Sequence, residues 1–294
     1  MTSADITTAP PAATRTLDDV PGWFFKADQE VFGWLLTQQA QRGRTGDLLE
    51  LGAYLGRSAI LLGSHLQTGE TFTVCDLFDS DAPDEDNSAE MSMSYRKTLT
   101  RQAFEDNYLS FHDRLPTVVQ APTSVLADGR IPDQSCRFIH IDASHLYEHV
   151  AGDIQVARAA LAKDGVVALD DYRAEHTPGV AAAVWEAVFA HGLRPVLLTP
   201  EKFYGTWGDA EQVQRDLLGR DWRAEGYRMD EETIAGVRVY RLAYDTVPAA
   251  PATAPRPAPP RRSATRRLAL DVLPPFATRA ARSALRAARA RKGH

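Results

Sequence analysis

The chain alternates short apolar runs with longer stretches in which apolar residues recur every three or four positions. Short runs of this kind predict strands, whereas the longer periodic stretches predict amphipathic helices. We expect strands at residues 47–51, 71–76, 117–120, 137–142, 165–170, 194–198 and 237–242, and helices at residues 27–42, 57–66, 95–107, 147–161 and 178–191. Because strands separated by helices form parallel βαβ units, the pattern predicts an α/β fold with a doubly wound sheet and helices on both faces.

The composition is that of a soluble globular protein rather than a fibrous, disulfide-rich or membrane-spanning one. Of the 294 residues, 44% are hydrophobic and 24% are charged, and no apolar run approaches the roughly 20 residues of a membrane span. Residues 1–16 lack the basic and apolar regions of a secretory signal. Cys75 and Cys136 both lie in apolar stretches, which predicts buried thiols in a reducing compartment. We therefore expect a cytoplasmic protein.

Charge divides the chain into an acidic part and a basic tail. The net charge is −6, although the residues from Val247 onward include eleven Arg and Lys and one acid, Asp271. Residues 1–246 therefore carry a strongly negative net charge, which opposes binding to the phosphates of nucleic acids. We expect no nucleic-acid partner for these residues.

Composition also predicts the domain boundaries. We expect a disordered lead-in at residues 1–16, one α/β domain at 17–246, a Pro-rich linker at 247–262 and a basic Ala/Arg-rich tail at 263–294. Four arginines of the tail recur at the spacing of one helix face: Arg279, Arg282, Arg286 and Arg289. We expect such a face to contact an anionic membrane or an acidic partner. The sequence leaves the oligomeric state open, a homo-oligomer included.

A glycine loop follows the first predicted strand, in the pattern Glu50-x-Gly52-x-x-x-Gly56-x-Ser58. Gly52 permits a sharp turn, and Gly56 lets the backbone approach a ligand closely. Tyr54 replaces the middle glycine that makes room for a dinucleotide pyrophosphate, which argues against a dinucleotide oxidoreductase. No Lys-Ser or Lys-Thr pair follows, so the loop is not a phosphate-binding P-loop either.

Carboxylates end two later strands of the predicted sheet. Asp142 ends one of them, and Asp170 and Asp171 end the next. Adjacent parallel strands lie about 4.8 Å apart, so these three acids converge if the strands are neighbours. Like charges raise one another's pKa, and a hard divalent cation such as Mg²⁺ resolves the conflict because it prefers oxygen ligands. We therefore expect Asp142, Asp170 and Asp171 to bind a divalent cation.

The glycine loop resembles motif I of class I S-adenosylmethionine-dependent methyltransferases. In that family an acid at the end of the second strand bonds the cofactor ribose, and Asp76 stands about 20 residues after the loop, where this acid belongs. The resemblance implies a Rossmann-like, seven-stranded methyltransferase sheet within residues 17–246. It also implies a set of cofactor-binding residues: Glu50, Gly52, Ala53, Tyr54, Gly56, Ser58, Asp76, Ser124 and Asp142.

The stretch 138–180 resembles metal-dependent O-methyltransferases of the catechol and macrolide-sugar types. The pair Asp170-Asp171 matches the sugar enzymes, whereas catechol enzymes have Asp-Asn there. His145, three residues after Asp142, stands where the catechol type places a lysine base. The resemblance implies O-methylation of a hydroxylated small molecule or glycan, with Asp142 and His145 as catalytic residues. A histidine base suits neutral pH, since the ordinary imidazole pKa is about 6.5.

Three other functions compete with this interpretation. A non-catalytic protein on the same scaffold would work through its basic tail and would tolerate loss of Asp142 or Asp170. The loop pattern argues against a dinucleotide oxidoreductase. The negative charge of residues 1–246 argues against a nucleic-acid methyltransferase. For an O-methyltransferase, we expect acceptor specificity to come from residues 23–34, 79–95 and 202–207.

Overall fold

The computed structural model describes residues 15–94 and 98–245. The predicted linker and basic tail, and all but the last two residues of the predicted lead-in, lie outside the described residues, so those predictions stay predictions. Among the described helices, none combines the length and the apolar character that crossing a membrane requires. Cys75 and Cys136 are free and buried, which confirms the prediction of buried thiols.

The described residues form nine strands and seven α-helices. The strands are β1 (Asp47–Leu51), β2 (Phe72–Asp76), β3 (Thr117–Gln120), β4 (Cys136–Ile141), β5 (Leu161–Leu169), β6 (Arg194–Leu198), β7 (Phe203–Thr206), β8 (Tyr227–Ile234) and β9 (Val237–Tyr244). The helices are α1 (Lys26–Gln41), α2 (Arg57–Ser64), α3 (Glu85–Ser94), α4 (Arg101–Leu109), α5 (Tyr147–Ala160), α6 (Pro178–Ala190) and α7 (Ala210–Leu218). Short 3-10 helices lie at Leu17–Asp19, Thr123–Asp128 and Trp222–Glu225.

All nine strands form one sheet in the order β3-β2-β1-β4-β5-β7-β6-β9-β8. Strands β1 to β5 pair in parallel, and β7 is antiparallel to both β5 and β6. The strand order reverses between β1 and β4, which creates the switch point beside which doubly wound sheets bind ligands. The predicted doubly wound α/β fold is confirmed. The β8–β9 hairpin adds two strands at the edge of the seven-stranded sheet.

Apolar cores cover both faces of the sheet. Successive residues of β1 point to opposite faces, so Leu48 packs in one core and Leu49 in the other. Phe32 of α1 belongs to the first core, and Ile154 of α5 belongs to the second. Burial on both faces explains why the central strands are apolar over nearly their whole length.

The prediction that residues 202–207 select the acceptor is wrong. Phe203 and Tyr204 are fully buried, because this segment forms β7 inside the sheet. The predicted helix at 95–107 is also displaced. Helix α4 begins after Thr100, whose hydroxyl caps it by accepting from the Ala103 amide, and the acidic segment before it carries α3.

Candidate active site

A cavity of about 800 Å³ opens at the carboxyl ends of β1, β2, β4 and β5. Most of the predicted site residues border this cavity: Gly52, Ala53, Tyr54, Ser58, Asp76, Ser124, Asp142, His145, Asp170 and Asp171. Glu50 and Gly56 are not among the described residues that border it. The parallel strands thus bring the glycine loop and the acids to one edge of the sheet, as the sequence predicted.

Gly52 cannot carry a side chain in this structure. Its φ is +77°, and a Cβ atom would lie 2.0 Å from the backbone oxygen of Asp142. The Gly52 amide also donates to the Cys75 oxygen of β2 at 2.8 Å. The first turn of the loop is therefore packed directly against the ends of two neighbouring strands, and only glycine allows this close approach.

Asp76, the last residue of β2, binds the glycine loop through hydrogen bonds to its backbone amides. Its Oδ2 accepts hydrogen bonds from the amides of Ala53 and Tyr54 at 2.7 and 3.1 Å, and its Oδ1 accepts from the Phe78 amide at 2.6 Å. Burial raises the pKa of Asp76, and these three bonds oppose that effect. Two carboxylate oxygens offer about four acceptor sites, so an acceptor site remains for a ligand hydroxyl. The predicted ribose contact stays a prediction.

The acid cluster forms because β1, β4 and β5 end in register. The Asp142 amide donates to Leu51 at 2.7 Å, and the Asp170 amide donates to Ile141 at 2.9 Å. The Nε2 atom of His145 lies 3.1 Å from Oδ2 of Asp171. Possible ligand atoms of Asp142, His145 and Asp171 all lie within 4.8 Å of one another. The predicted convergence of acids is therefore found.

The three acids of this cluster have different electrostatic environments. Burial, followed by repulsion from Asp170, raises the pKa of Asp142 well above its ordinary value. Burial would also raise the pKa of Asp171, but the neighbouring His145 outweighs it and holds that pKa below the ordinary value. Asp171 also has a left-handed backbone, with φ of +54°, a conformation that aspartate tolerates better than most residues and that is concentrated at functional sites.

Lys202, which the sequence placed only in a segment expected to select the acceptor, has a different role beside the acid cluster. Its ammonium contacts Oδ2 of Asp170 in a side chain that is 1% exposed. Burial opposes its charge, but the charges of Asp170, Asp142 and Asp28 outweigh this and raise the pKa of Lys202. The lysine therefore carries a fixed positive charge beneath the acid cluster and compensates Asp170.

A buried chain of contacts continues from Lys202 to the glycine loop. Lys202 Nζ lies 3.0 Å from Nε2 of His140, and Nδ1 of His140 lies 2.7 Å from Oε1 of Glu50. Burial and the Lys202 charge keep the pKa of His140 well below its ordinary value, so the ring is neutral. A neutral ring fits these contacts if Nδ1–H donates to Glu50 and Nε2 accepts from Lys202. Glu50 thus supports the site from beneath the cavity, and burial raises its pKa to about 8.

The residues fit a divalent cation at the cavity side of the cluster. A set made of His140, Asp142 and Asp170 has ligand geometry, but the Lys202 ammonium already contacts two of its members. The set made of Asp142, His145 and Asp171 borders the cavity instead. With Asp170 paired to Lys202, the two remaining carboxylates, Asp142 and Asp171, match the charge of one divalent ion. Asp142 and Asp171 would supply the oxygen ligands, with Asp170 held behind them.

The glycine loop and its strand belong to a region with a known sequence family. Residues 49–172 match the family described as a methyltransferase domain, whereas no curated protein matches the sequence. The solved structures similar to this chain include the O-methyltransferase NovP, with 19% identity over 60% of this chain and 78% of that chain and a TM-score of 0.48.

Two further structures are similar at lower identity. The calicheamicin-biosynthesis enzyme CalS11, a TDP-rhamnose 3′-O-methyltransferase, is 17% identical over 63% of this chain and 82% of that chain, with a TM-score of 0.43. An O-methyltransferase from Bacillus cereus, solved in complex with SAH, is 14% identical over 64% of this chain and 84% of that chain, also with a TM-score of 0.43. Residues 49–172 thus match a methyltransferase domain, in agreement with the resemblance that the sequence predicted, and they lie within the doubly wound sheet.

Proposed function

We propose that this protein is an S-adenosylmethionine-dependent O-methyltransferase that acts on a hydroxyl group of a small molecule or sugar with the help of a divalent cation. One observation carries the proposal. The glycine loop of the methyltransferase domain and the cluster of Asp142, His145 and Asp171 border the same cavity. A methyl donor held by the loop and a hydroxyl group held by the cluster would therefore face each other.

The cofactor would be held by the loop from Gly52 to Ser58, with Asp76 and Ser124 farther along the same wall. When bound, S-adenosylmethionine supplies an electrophilic methyl group, and the protein supplies position and electrostatics. The left-handed backbone of Tyr54, with φ of +49°, turns the loop over the strand end. The Asp76 bonds keep that loop preformed, which reduces the ordering that cofactor binding requires.

His145 is the base of the proposed reaction. It takes the proton that the acceptor hydroxyl loses on methylation, and the carboxylate of Asp171 beside Nε2 orients the imidazole and stabilises its protonated form. A divalent cation at Asp142 and Asp171 would lower the pKa of a bound hydroxyl. A hard cation at the acid cluster would favour oxygen over nitrogen acceptors, because such cations prefer oxygen ligands.

Aromatic side chains at the mouth of the cavity favour a methyl acceptor that has an apolar ring or face. Trp23 and Phe25 border the cavity and remain 58% and 46% exposed, and the Trp23 ring lies 5.2 Å from the Tyr54 ring. Arg57 fixes this segment by donating to the backbone oxygens of Asp18, Val20 and Gly22, a set of three bonds at 2.5–3.0 Å. Within the predicted specificity segment 23–34, Trp34 instead packs against Trp222.

Removal of divalent cations tests the metal-assisted part of the proposal. We expect chelation to lower transfer of labelled methyl from S-adenosylmethionine to vicinal diols and glycosides by about 10²-fold or more, since a Lewis-acid metal contributes several kcal/mol. Added Mg²⁺ or Mn²⁺ should restore transfer. Binding of S-adenosylhomocysteine, measured by calorimetry in the same chelated sample, should persist because the glycine loop lies outside the acid cluster. Full transfer after chelation would contradict the role of the cation.

A further inference from the structure

A histidine near the start of α5 contacts two parts of the cavity wall at once. Nε2 of His149 lies 2.9 Å from Oδ2 of Asp84, and Nδ1 of the same ring lies 3.2 Å from the hydroxyl oxygen of Ser144. All three residues border the cavity. The His149 ring therefore bridges two segments that are far apart in the sequence, and the proposed reaction assigns it no role.

The first contact holds the segment that contains α3. Asp84 directly precedes α3, and its Oδ1 atom accepts from the Asn87 amide at 2.8 Å. Pro83, Asn87 and Met91 border the cavity as well, and Asn87 is buried. We call these three residues, together with Asp84, the α3 wall. Because Asp84 uses one oxygen for the first turn of α3 and the other for His149, the contact joins this wall to α5.

The second contact holds the loop that carries the proposed base. Ser144 directly precedes His145, and the Ser144 oxygen also accepts from the Leu146 amide at 3.2 Å. A carboxylate only accepts hydrogen bonds, so Nε2 of His149 donates to Asp84, which leaves Nδ1 to accept from the Ser144 hydroxyl. The loop and the α3 wall therefore belong to one chain of hydrogen bonds.

The Asp84 end of this bridge lies on the side of the cavity where the cofactor is proposed to bind. The α3 wall follows β2, whose last residue is Asp76. One helical turn after His149, Asp153 of α5 is hydrogen-bonded to Thr123 of the 3-10 helix that follows β3. Strands β2 and β3 are neighbours at one edge of the sheet, away from β5 and its acids. The bridge thus runs from the cofactor side of the cavity to the loop of the base.

We propose that His149 is a positioning residue that links the α3 wall to the loop that places His145. The inference rests on the proposed function, since it assumes that the cavity binds the cofactor and that His145 is the base. A cofactor packed against the α3 wall stabilises the Asp84 contact, and the His149 ring passes this constraint to Ser144. The base is therefore held most firmly when the cofactor is bound.

Two substitutions of His149 separate the two contacts. An asparagine amide occupies the position of Nδ1, whereas the amide nitrogen of glutamine reaches the position of Nε2. His149→Asn therefore keeps the Ser144 contact and loses the Asp84 contact, and His149→Gln does the reverse. We expect His149→Asn to weaken the affinity for S-adenosylhomocysteine, measured by calorimetry, by about 3- to 10-fold, the effect of one hydrogen bond. His149→Gln should keep most of the affinity.

The ring signals of His145 in nuclear magnetic resonance spectra report the other end of the bridge and require no acceptor. With isotope-labelled histidine, the His145→Gln variant identifies these signals by their loss. Both His149 variants remove the same ring, so a difference between them reports the Ser144 contact. We expect the His145 signals to shift in His149→Gln and to stay near their wild-type positions in His149→Asn. His191→Asn and His191→Gln, at a histidine that is not among the described residues bordering the cavity, are the matched controls and should change neither measurement.

Each outcome decides the inference. Equal effects of the two His149 variants on both measurements would overturn it, because a merely structural histidine would act in that way, and wild-type values in both variants would overturn it as well. If the His149 variants fail to fold, Asp84→Ser and Ser144→Ala remove the same two contacts from the other side, and serine retains a hydroxyl that caps α3. The same division of effects is then expected. A folded wild-type protein that does not bind S-adenosylhomocysteine would overturn the proposed function itself, which is a distinguishable result.

Discussion

Replacement of His145 by glutamine is expected to lower kcat by about 10²- to 10⁴-fold, the usual contribution of a general base. The reason is local. His145 borders the cavity, and Asp171 lies 3.1 Å from its Nε2 atom, an arrangement that orients an imidazole for proton transfer. Glutamine keeps much of the polarity and size but cannot take a proton. Single-turnover methyl transfer measures the chemical step directly, and the affinity for S-adenosylhomocysteine should be nearly unchanged.

Two other histidines provide matched controls for this variant. His191 lies at the end of α6 away from the cavity, so His191→Gln should leave kcat unchanged. His176 borders the cavity with its ring 6.0 Å from that of His145, and it tests whether the base is assigned to the right residue. A full loss of activity in His176→Gln with normal turnover in His145→Gln would contradict the assignment.

Replacement of Lys202 by methionine is expected to lower the free energy of unfolding by about 3–5 kcal/mol, the usual cost of removing one partner of a buried ion pair. Asp170 would keep its burial but lose the ammonium that compensates it. His140 would also lose the donor at its Nε2 atom. Denaturant unfolding followed by tryptophan fluorescence measures the change.

A control and a double variant separate the lost charge pair from general damage. Lys163→Met, at an exposed lysine of β5, should change stability by less than about 0.5 kcal/mol. Adding Asp170→Asn to Lys202→Met should recover part of the loss, because the second change removes the uncompensated charge. A Lys202→Met protein as stable as the Lys163→Met control would contradict the structural role of the ion pair.

The central fold was predictable because its signals are local and repeated. Strands β1, β3 and β6 have the predicted bounds, since each is a short apolar run with clear ends. Strand β7 was not predicted, because four residues that include Gly205 and Thr206 carry too weak a pattern. Only the pairing with β5 and β6 makes them a strand, and that pairing is a tertiary effect.

The site residues that directly follow a strand were predictable from the sequence. Asp142, Asp170 and Asp171 converge because parallel strands deliver their carboxyl ends to one edge. Lys202 was not predictable, because the loop between β6 and β7 has no fixed spacing from β5. Asp153, a buried acid of α5 that borders the cavity, did leave a signal in the sequence that was not recognised. It lies three residues after Val150 and four before Ala157, on the buried face of α5, where an acid is unusual.

We expect the cavity beside the glycine loop to bind the methyl donor. Calorimetric titration of the wild-type protein with S-adenosylhomocysteine measures this binding, because the demethylated cofactor binds without an acceptor or a cation. We expect saturable binding with one molecule per chain. A folded protein, shown by a cooperative unfolding transition, that releases no heat of binding and gains no thermal stability from S-adenosylhomocysteine would contradict the proposed function.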